Sequence, residues 1–309
     1  MTIASTAADW PELPLAAWAD TCATLHLWTQ IVGKIRLAHA PMVNHWWHVP
    51  LYVGPRGFTT SAIPYRARSF QIDFDFIDHR LRIDSSDGRR ATIALEPRSV
   101  ADFHAELMGR LRDLGLETRI WTMPVEIEGA IPFERDHEHA AYDRDYVESF
   151  WRILLQVDRI FNRFRSSFVG KASPVHFFWG SFDLAVTRFS GRNAPLLQSN
   201  SPNVGRWVMQ EAYSHECSSA GFWPGNGGFG KPAFFSYAYP EPEGFADAAM
   251  SPAATHYDED LGQFILAYDD VRQSLAPDEM LMDYLRHTYA AAADAGRWDR
   301  AALERPTGP

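Results

Sequence analysis

Two helical stripes, one strictly alternating strand and an Asp-Gly hairpin predict an α+β protein, with antiparallel sheets flanked by long helices. The first stripe is Leu15, Trp18, Cys22, Leu25, Trp28, Val32 and Ile35, spaced by three and four as one helix face requires. The strand is SFQIDFDFI, in which Phe70, Ile72, Phe74 and Phe76 alternate with Gln71, Asp73 and Asp75. The hairpin is RLRID, SSDG and ATIAL, where Asp87-Gly88 supplies the positive φ of a tight connection.

In chain order, a Pro-punctuated leader precedes a helix over 15–37. NHWWHVPLYV and GFTTSAIPY then read as adjacent extended segments, broken by Gly54-Pro55 and Gly57. After the alternating strand and the hairpin, Ser99 is placed to cap a helix through Leu114, with Asp102 three residues on and Gly115 as the stop. ETRIWTMPVEI returns to extended structure, and IEGAIPFERD is a connector that divides an N-terminal lobe, 1–129, from a C-terminal lobe, 130–309. One compact domain is the alternative.

The second lobe opens on a helix from Asp143 to Phe168, striped by Val147, Phe150, Trp151, Leu154, Leu155, Val157, Ile160, Phe161 and Phe164. Strands follow at Val175 to Phe189 and Ala233 to Tyr239, with the loop GFWPGNGGFG between them. The strand GQFILAY and a helix from Asp278 to Ala295, started by Pro277, complete the order. Both halves carry Gly-Lys (Gly33-Lys34, Gly170-Lys171) and a later His-aromatic-aromatic run, which points to an ancient duplication; the unequal spacings leave chance as the other reading.

With 309 residues the chain is long enough to bury roughly three quarters of its unfolded surface. A net charge of -10 argues against nucleic acid as a partner, because phosphate binding draws on clustered Lys and Arg. Two cysteines allow no disulfide framework, and no apolar run approaches a membrane span; a cytoplasmic protein without membrane contact is the expectation. Eleven Trp, eleven Tyr and twenty Phe, many beside His, Arg and Asp, suit a small-molecule cavity.

The best candidate site is the segment His176 to Glu241. Strand alternation through HFFWGSFDLAVTR sets His176 and Phe178 on one face and Trp179, Ser181 and Asp183 on the other. Asp183 is then an acid or base, Arg188 an anion holder, and a buried Asp-Arg pair the structural alternative. YSHEC adds Tyr213, His215, Glu216 and Cys217. The expected catalytic set is Asp183, Glu216, His176 and His215, with Trp179, Arg188, Tyr213, Trp223, Tyr237 and His45 against substrate. A divalent metal ion is the one cofactor these residues raise, on His176, His215 and Glu216, although YSHECSSAG is not HExxH. The glycine loop lacks the Lys-Ser/Thr ending of a phosphate loop and reads as a lid carrying Trp223.

The strings NHWWHVPLYV, FDFIDHRL, SPVHFFWGSFDLAVTRFSGR and AYSHECSSAGFWPG resemble the motifs of an uncharacterised bacterial protein family, a domain of unknown function. The resemblance spans nearly the whole chain and implies no particular activity, cofactor or substrate. From the residues alone, the expectation is an intracellular enzyme of hydrolase or lyase type, using acid-base chemistry, with or without a metal ion, on a small polar molecule. A ligand-binding or sensor protein is the alternative.

Overall fold

The structure, a computed structural model, describes residues 9–198 and 200–306. Among them are seven α-helices and two six-stranded antiparallel sheets, an α+β fold. Helix α1 (Leu15–His39) is followed by β1 (Tyr52–Gly54), β2 (Gly57–Thr59), β3 (Ile63–Tyr65), β4 (Arg68–Asp75), β5 (Arg80–Ser85) and β6 (Arg90–Ala94). Phe70, Ile72 and Phe74 of β4 are buried while the residues between them are half-exposed, so the alternation in the sequence is the pleat of the sheet. Gly88, at φ 85°, turns β5 into β6.

Helix α2 (Val100–Asp113) starts where Ser99 Oγ accepts a hydrogen bond from the Asp102 amide, and Gly115 at φ 67° follows its end. Asp143 caps α3 (Arg144–Ser166) in the same way, accepting from the amides of Asp145 and Tyr146. The second sheet contains β7 (His176–Phe178), β8 (Asp183–Asn193), β9 (His215–Trp223), β10 (Ala233–Tyr239), β11 (His256–Asp258) and β12 (Gln263–Ala267), ordered β11-β12-β10-β9-β8-β7. Helix α4 (Arg206–Ala212) leads into β9; α5 (Tyr268–Arg272), α6 (Pro277–Ala295) and α7 (Arg300–Leu303) close the chain.

Edge to edge, the sheets meet where Leu51 exchanges backbone hydrogen bonds with Phe177. Buried residues from both halves, Trp28 and Phe103 among them with Phe177, Phe222 and Tyr284, form one contiguous apolar cluster. No helix of the described residues is long and apolar enough to cross a membrane.

Three local readings of the sequence change. The expected strand from Val175 to Phe189 is a hairpin, because Trp179–Phe182 form a turn with Phe182 at φ 64°. NHWWHVPLYV begins as a 3-10 turn over Asn44–Trp46, with His45 and Trp46 both in the left-handed region, so the segment is extended only where it reaches β1. Finally, the segment 116–132 joins neither sheet. It is held by side chains of α1: Gln30 bonds both the amide and the carbonyl of Val125, and Lys34 Nζ donates to the Met123 carbonyl at 2.7 Å. Gly33-Lys34 therefore lies inside α1, whereas Gly170-Lys171 lies beyond the end of α3.

Candidate functional site

One face of the second sheet presents small and hydroxylated side chains in register. Thr187 lies across from Ser219, and Ser219 across from Tyr237, forming one row; Ala185, Gly221 and Phe235 form the next. Directly opposed residues share a face. The polar row is tied together by Thr187 Oγ1 and Ser219 Oγ at 2.9 Å and by the Tyr213 and Tyr237 hydroxyls at 2.8 Å. Small residues in the second row leave room above the sheet, and that room is a cavity of about 800 Å³. Its other walls are the C-terminal half of α1, the 45–49 turn, residues 119–126 and the region of α4.

Asp183 stands at the start of β8 on this face, 7 % exposed, accepting a hydrogen bond from Ser181 Oγ. Burial raises its carboxyl to about 7, against the lowering effect of that bond. Glu126 joins it from the irregular segment. Its backbone takes the left-handed conformation at φ 60°, and its amide donates to the Pro202 carbonyl at 2.8 Å. Glu126 is exposed by surface area and borders both this cavity and a second one of about 980 Å³. Surrounding protein, and secondarily the negative charge of Asp183, lift it too to about 7. Gly180 makes the approach possible: a Cβ there would fall 2.2 Å from Glu126 Oε1. The Gly180 carbonyl is in turn fixed by His26 Nε2 at 2.9 Å, a histidine that burial lowers to about 4.

Aromatic side chains complete the enclosure. Trp179 donates its indole N–H to the Val49 carbonyl at 2.8 Å and lies flat on Gly33, where a Cβ would meet the ring at 2.2 Å. Phe178, Phe189, Phe235, Tyr213 and Tyr237 are further lining residues, and Trp121 and Trp207 stand exposed at the rim. His45, 4 % exposed, accepts from Lys171 Nζ on Nε2 at 2.6 Å and donates from Nδ1 to the Ala212 carbonyl at 2.9 Å. Both contacts suit the neutral ring, and burial lowers its pKa.

Of the residues singled out from sequence, the structure brings together Asp183, Trp179, Tyr213, Tyr237 and His45 around this cavity. The others stand elsewhere. Arg188, on the same strand as Asp183 but opposite in parity, points to the other face, donating to the Phe164 carbonyl and to Ser167 Oγ, with the Phe164 ring 3.5 Å away. Glu216 is paired with Arg192 at 2.6 Å and with Ser190 at 2.9 Å, facing away from cavity-lining Cys217. His176 shares the cavity face but lies sealed beside Phe178, Trp47 and Tyr52, with Nδ1 unbonded and the ring lowered to about 3 by burial.

His215 packs edge-on against His45 and His176 edge-on against Trp47, so the rings of His45 and Trp47 lie between the two histidines. Among the described residues, no group of three or more His, Cys, Asp or Glu is placed to hold a metal ion. Trp223 ends β9 rather than riding on the glycine loop; half-buried against Phe229 and Phe235, it lines the second cavity. Cys217 borders the first cavity as a buried thiol pushed up to about 12 by burial.

Sequence reasoning missed Glu126, Ser181 and Lys34. For Glu126 no local pattern exists. For the α1 residues one did: His26, Gln30 and Lys34 recur every four residues, a polar stripe on a helix whose other positions from Thr24 to Arg36 are also buried.

Comparison with family models matches residues 10–305 to a family of unknown function (DUF5996). Neither the curated proteins nor the solved structures give a match.

Proposed function

Since the chain belongs to a family of unknown function (DUF5996), its activity has to be read from the site, and we propose an enzyme that moves protons on a small molecule. The observation that carries this reading is the convergence of Asp183 and Glu126, from distant parts of the chain, on one aromatic-walled cavity of about 800 Å³. That volume suits a ligand of drug-like size. The charge of Asp183 adds to the raising of Glu126 and both carboxyl groups are lifted to about 7, so near neutral pH protonated and ionised carboxyl groups share the cavity. One member then donates while the other accepts, which is the requirement of general acid-base catalysis. Ser181 orients Asp183, and the hydroxyls of Tyr213, Tyr237, Ser219 and Thr187 supply hydrogen bonds to a polar substituent.

A ligand-binding protein without turnover is the second reading, favoured by the aromatic lining itself. Incubating the protein with small-molecule extracts in D₂O separates the two, with mass spectrometry following deuterium entering any compound that also binds. An enzyme labels or converts a ligand, and Asp183→Asn abolishes this while retaining binding. Ligands that bind without exchange or conversion would leave only the binding reading.

A further inference from the structure

The cavity has a second end that the carboxyl pair does not use. Lys34 lines it and is only 5 % exposed. Its ammonium donates to the Met123 carbonyl at 2.7 Å and lies 4.8 Å from the centre of the Trp121 ring and 5.7 Å from that of Phe133. Among the described residues Lys34 forms no ion pair, and neither does Arg119, an exposed neighbour that lines the same cavity. An ammonium has three donors, and here the protein supplies one carbonyl and two ring faces. Withdrawing such a charge from water is unfavourable unless an anion accompanies it. In a chain of net charge -10, cations left without carboxylates inside a cavity stand out.

Helix geometry sets the distance between the two ends. His26 touches Gly180, the residue packed against Glu126, and Lys34 lies eight residues further along α1, about 12 Å by helical rise. The apolar surface of Trp179, Phe178 and Val49 belongs to the same cavity. We infer that Lys34 and Arg119 form an anion-recognition end, so that the ligand is an amphipathic anion. Its apolar, ring-sized body lies along the aromatic wall, and its carboxylate, sulfonate or phosphate group is held by Lys34, eight residues along α1 from His26. Exposed Trp121 and Trp207 at the rim give such a molecule an apolar entrance. This inference rests on the ligand cavity of the proposed function, not on proton transfer.

Two fluorescent probes with one shared body test it: 8-anilinonaphthalene-1-sulfonate, and N-phenyl-1-naphthylamine, which lacks the sulfonate. Wild-type protein is expected to bind both. Lys34→Met should weaken the sulfonate about tenfold or more, the scale of one charge-assisted contact, and leave the neutral probe within about twofold. Lys34→Arg should restore most of the loss, and Arg119→Ala should weaken the sulfonate by a smaller factor. Equal loss of both probes in Lys34→Met would make Lys34 a wall support and overturn the inference, as would a sulfonate affinity indifferent to Lys34. Wild type that binds the neutral probe but not the sulfonate overturns the anion end and leaves the carboxyl pair standing. If it binds neither probe, the cavity fails as a ligand site and both readings fall.

Discussion

Asp183 and Arg188 lie on the same strand, both buried and both ionisable, yet they belong to different worlds. On the helix-covered face, Arg188 meets the Phe164 carbonyl, Ser167 and the rings of Phe164 and Tyr289. Asp183, five residues away and on the cavity face, has Ser181 as its side-chain partner and a second carboxylate for company. Burial lowers the first to about 10, against the raising effect of Tyr289 and Glu304, and it stays charged at neutral pH. The second is left in conditions that push its pKa towards neutrality, a mark of groups that exchange protons. Burial alone therefore does not separate structural from functional charges; what surrounds them does.

Exchanging each for a neutral side chain should break the comparison most sharply. Asp183→Asn is expected to lower turnover of any substrate found by the D₂O screen by about 10²- to 10⁴-fold, the range of a lost general acid or base, with the fold retained. Turnover unaffected by the change would remove Asp183 from the chemistry. Arg188→Ala should act on stability, costing about 3 kcal/mol in denaturant unfolding, because it empties a buried stack against Phe164 and removes the charge-assisted hydrogen bond to the Phe164 carbonyl. An Arg188→Ala protein as stable as wild type, but impaired in binding, would move Arg188 to the ligand.

That division explains what was legible beforehand. Helices α2 and α3, strand β4 and the β5–β6 hairpin follow from local rules, since periodicity, caps and Asp-Gly turns act within a few residues. Asp183 could be chosen from sequence because it is a lone carboxylate in an apolar run. The parity that separated it from Phe178 could not, since Phe182 takes positive φ without being glycine and turns one strand into two. Glu126 was hidden for a tertiary reason: Gln30, Lys34 and the Pro202 carbonyl position its segment, and none is near it in sequence. Arg188 and Glu216 resembled site residues because sequence shows charge and spacing but not the partner waiting on the other face.

Gly33 sharpens the comparison at the cavity wall. In an exposed helix, Gly→Ala gains up to about 1 kcal/mol. Here the new methyl would collide with Trp179, whose indole is anchored to Val49, and overpacking costs about 1–3 kcal/mol. Gly33→Ala should therefore destabilise by about 1 kcal/mol, seen as a lower Tm, and Trp179→Leu in the same chain should recover part of the loss. A rise in Tm on Gly33→Ala would show that Trp179 is not packed on the helix.

The smallest expected effect is a pH dependence, and its sign distinguishes the carboxyl pair from the buried histidines. Folded Asp183 and Glu126 keep their protons up to about 7, whereas unfolded carboxyl groups release theirs near about 4. Between those values the folded state binds more protons than the unfolded one, so this pair's contribution to stability falls as pH rises. His26 and His176, lowered to about 4 and about 3, work oppositely: below about 6.5 the unfolded state binds more protons, and their contribution falls as pH drops. Asp183→Asn removes one carboxyl from the first group and leaves the histidines untouched. Relative to wild type, its Tm should therefore rise by about 1.5 °C more at pH 8 than at pH 5, corresponding to about 1 kcal/mol in a chain of this size. A difference that stays constant across that range would mean Asp183 ionises like an ordinary surface carboxylate, which removes the physical basis for pairing it with Glu126.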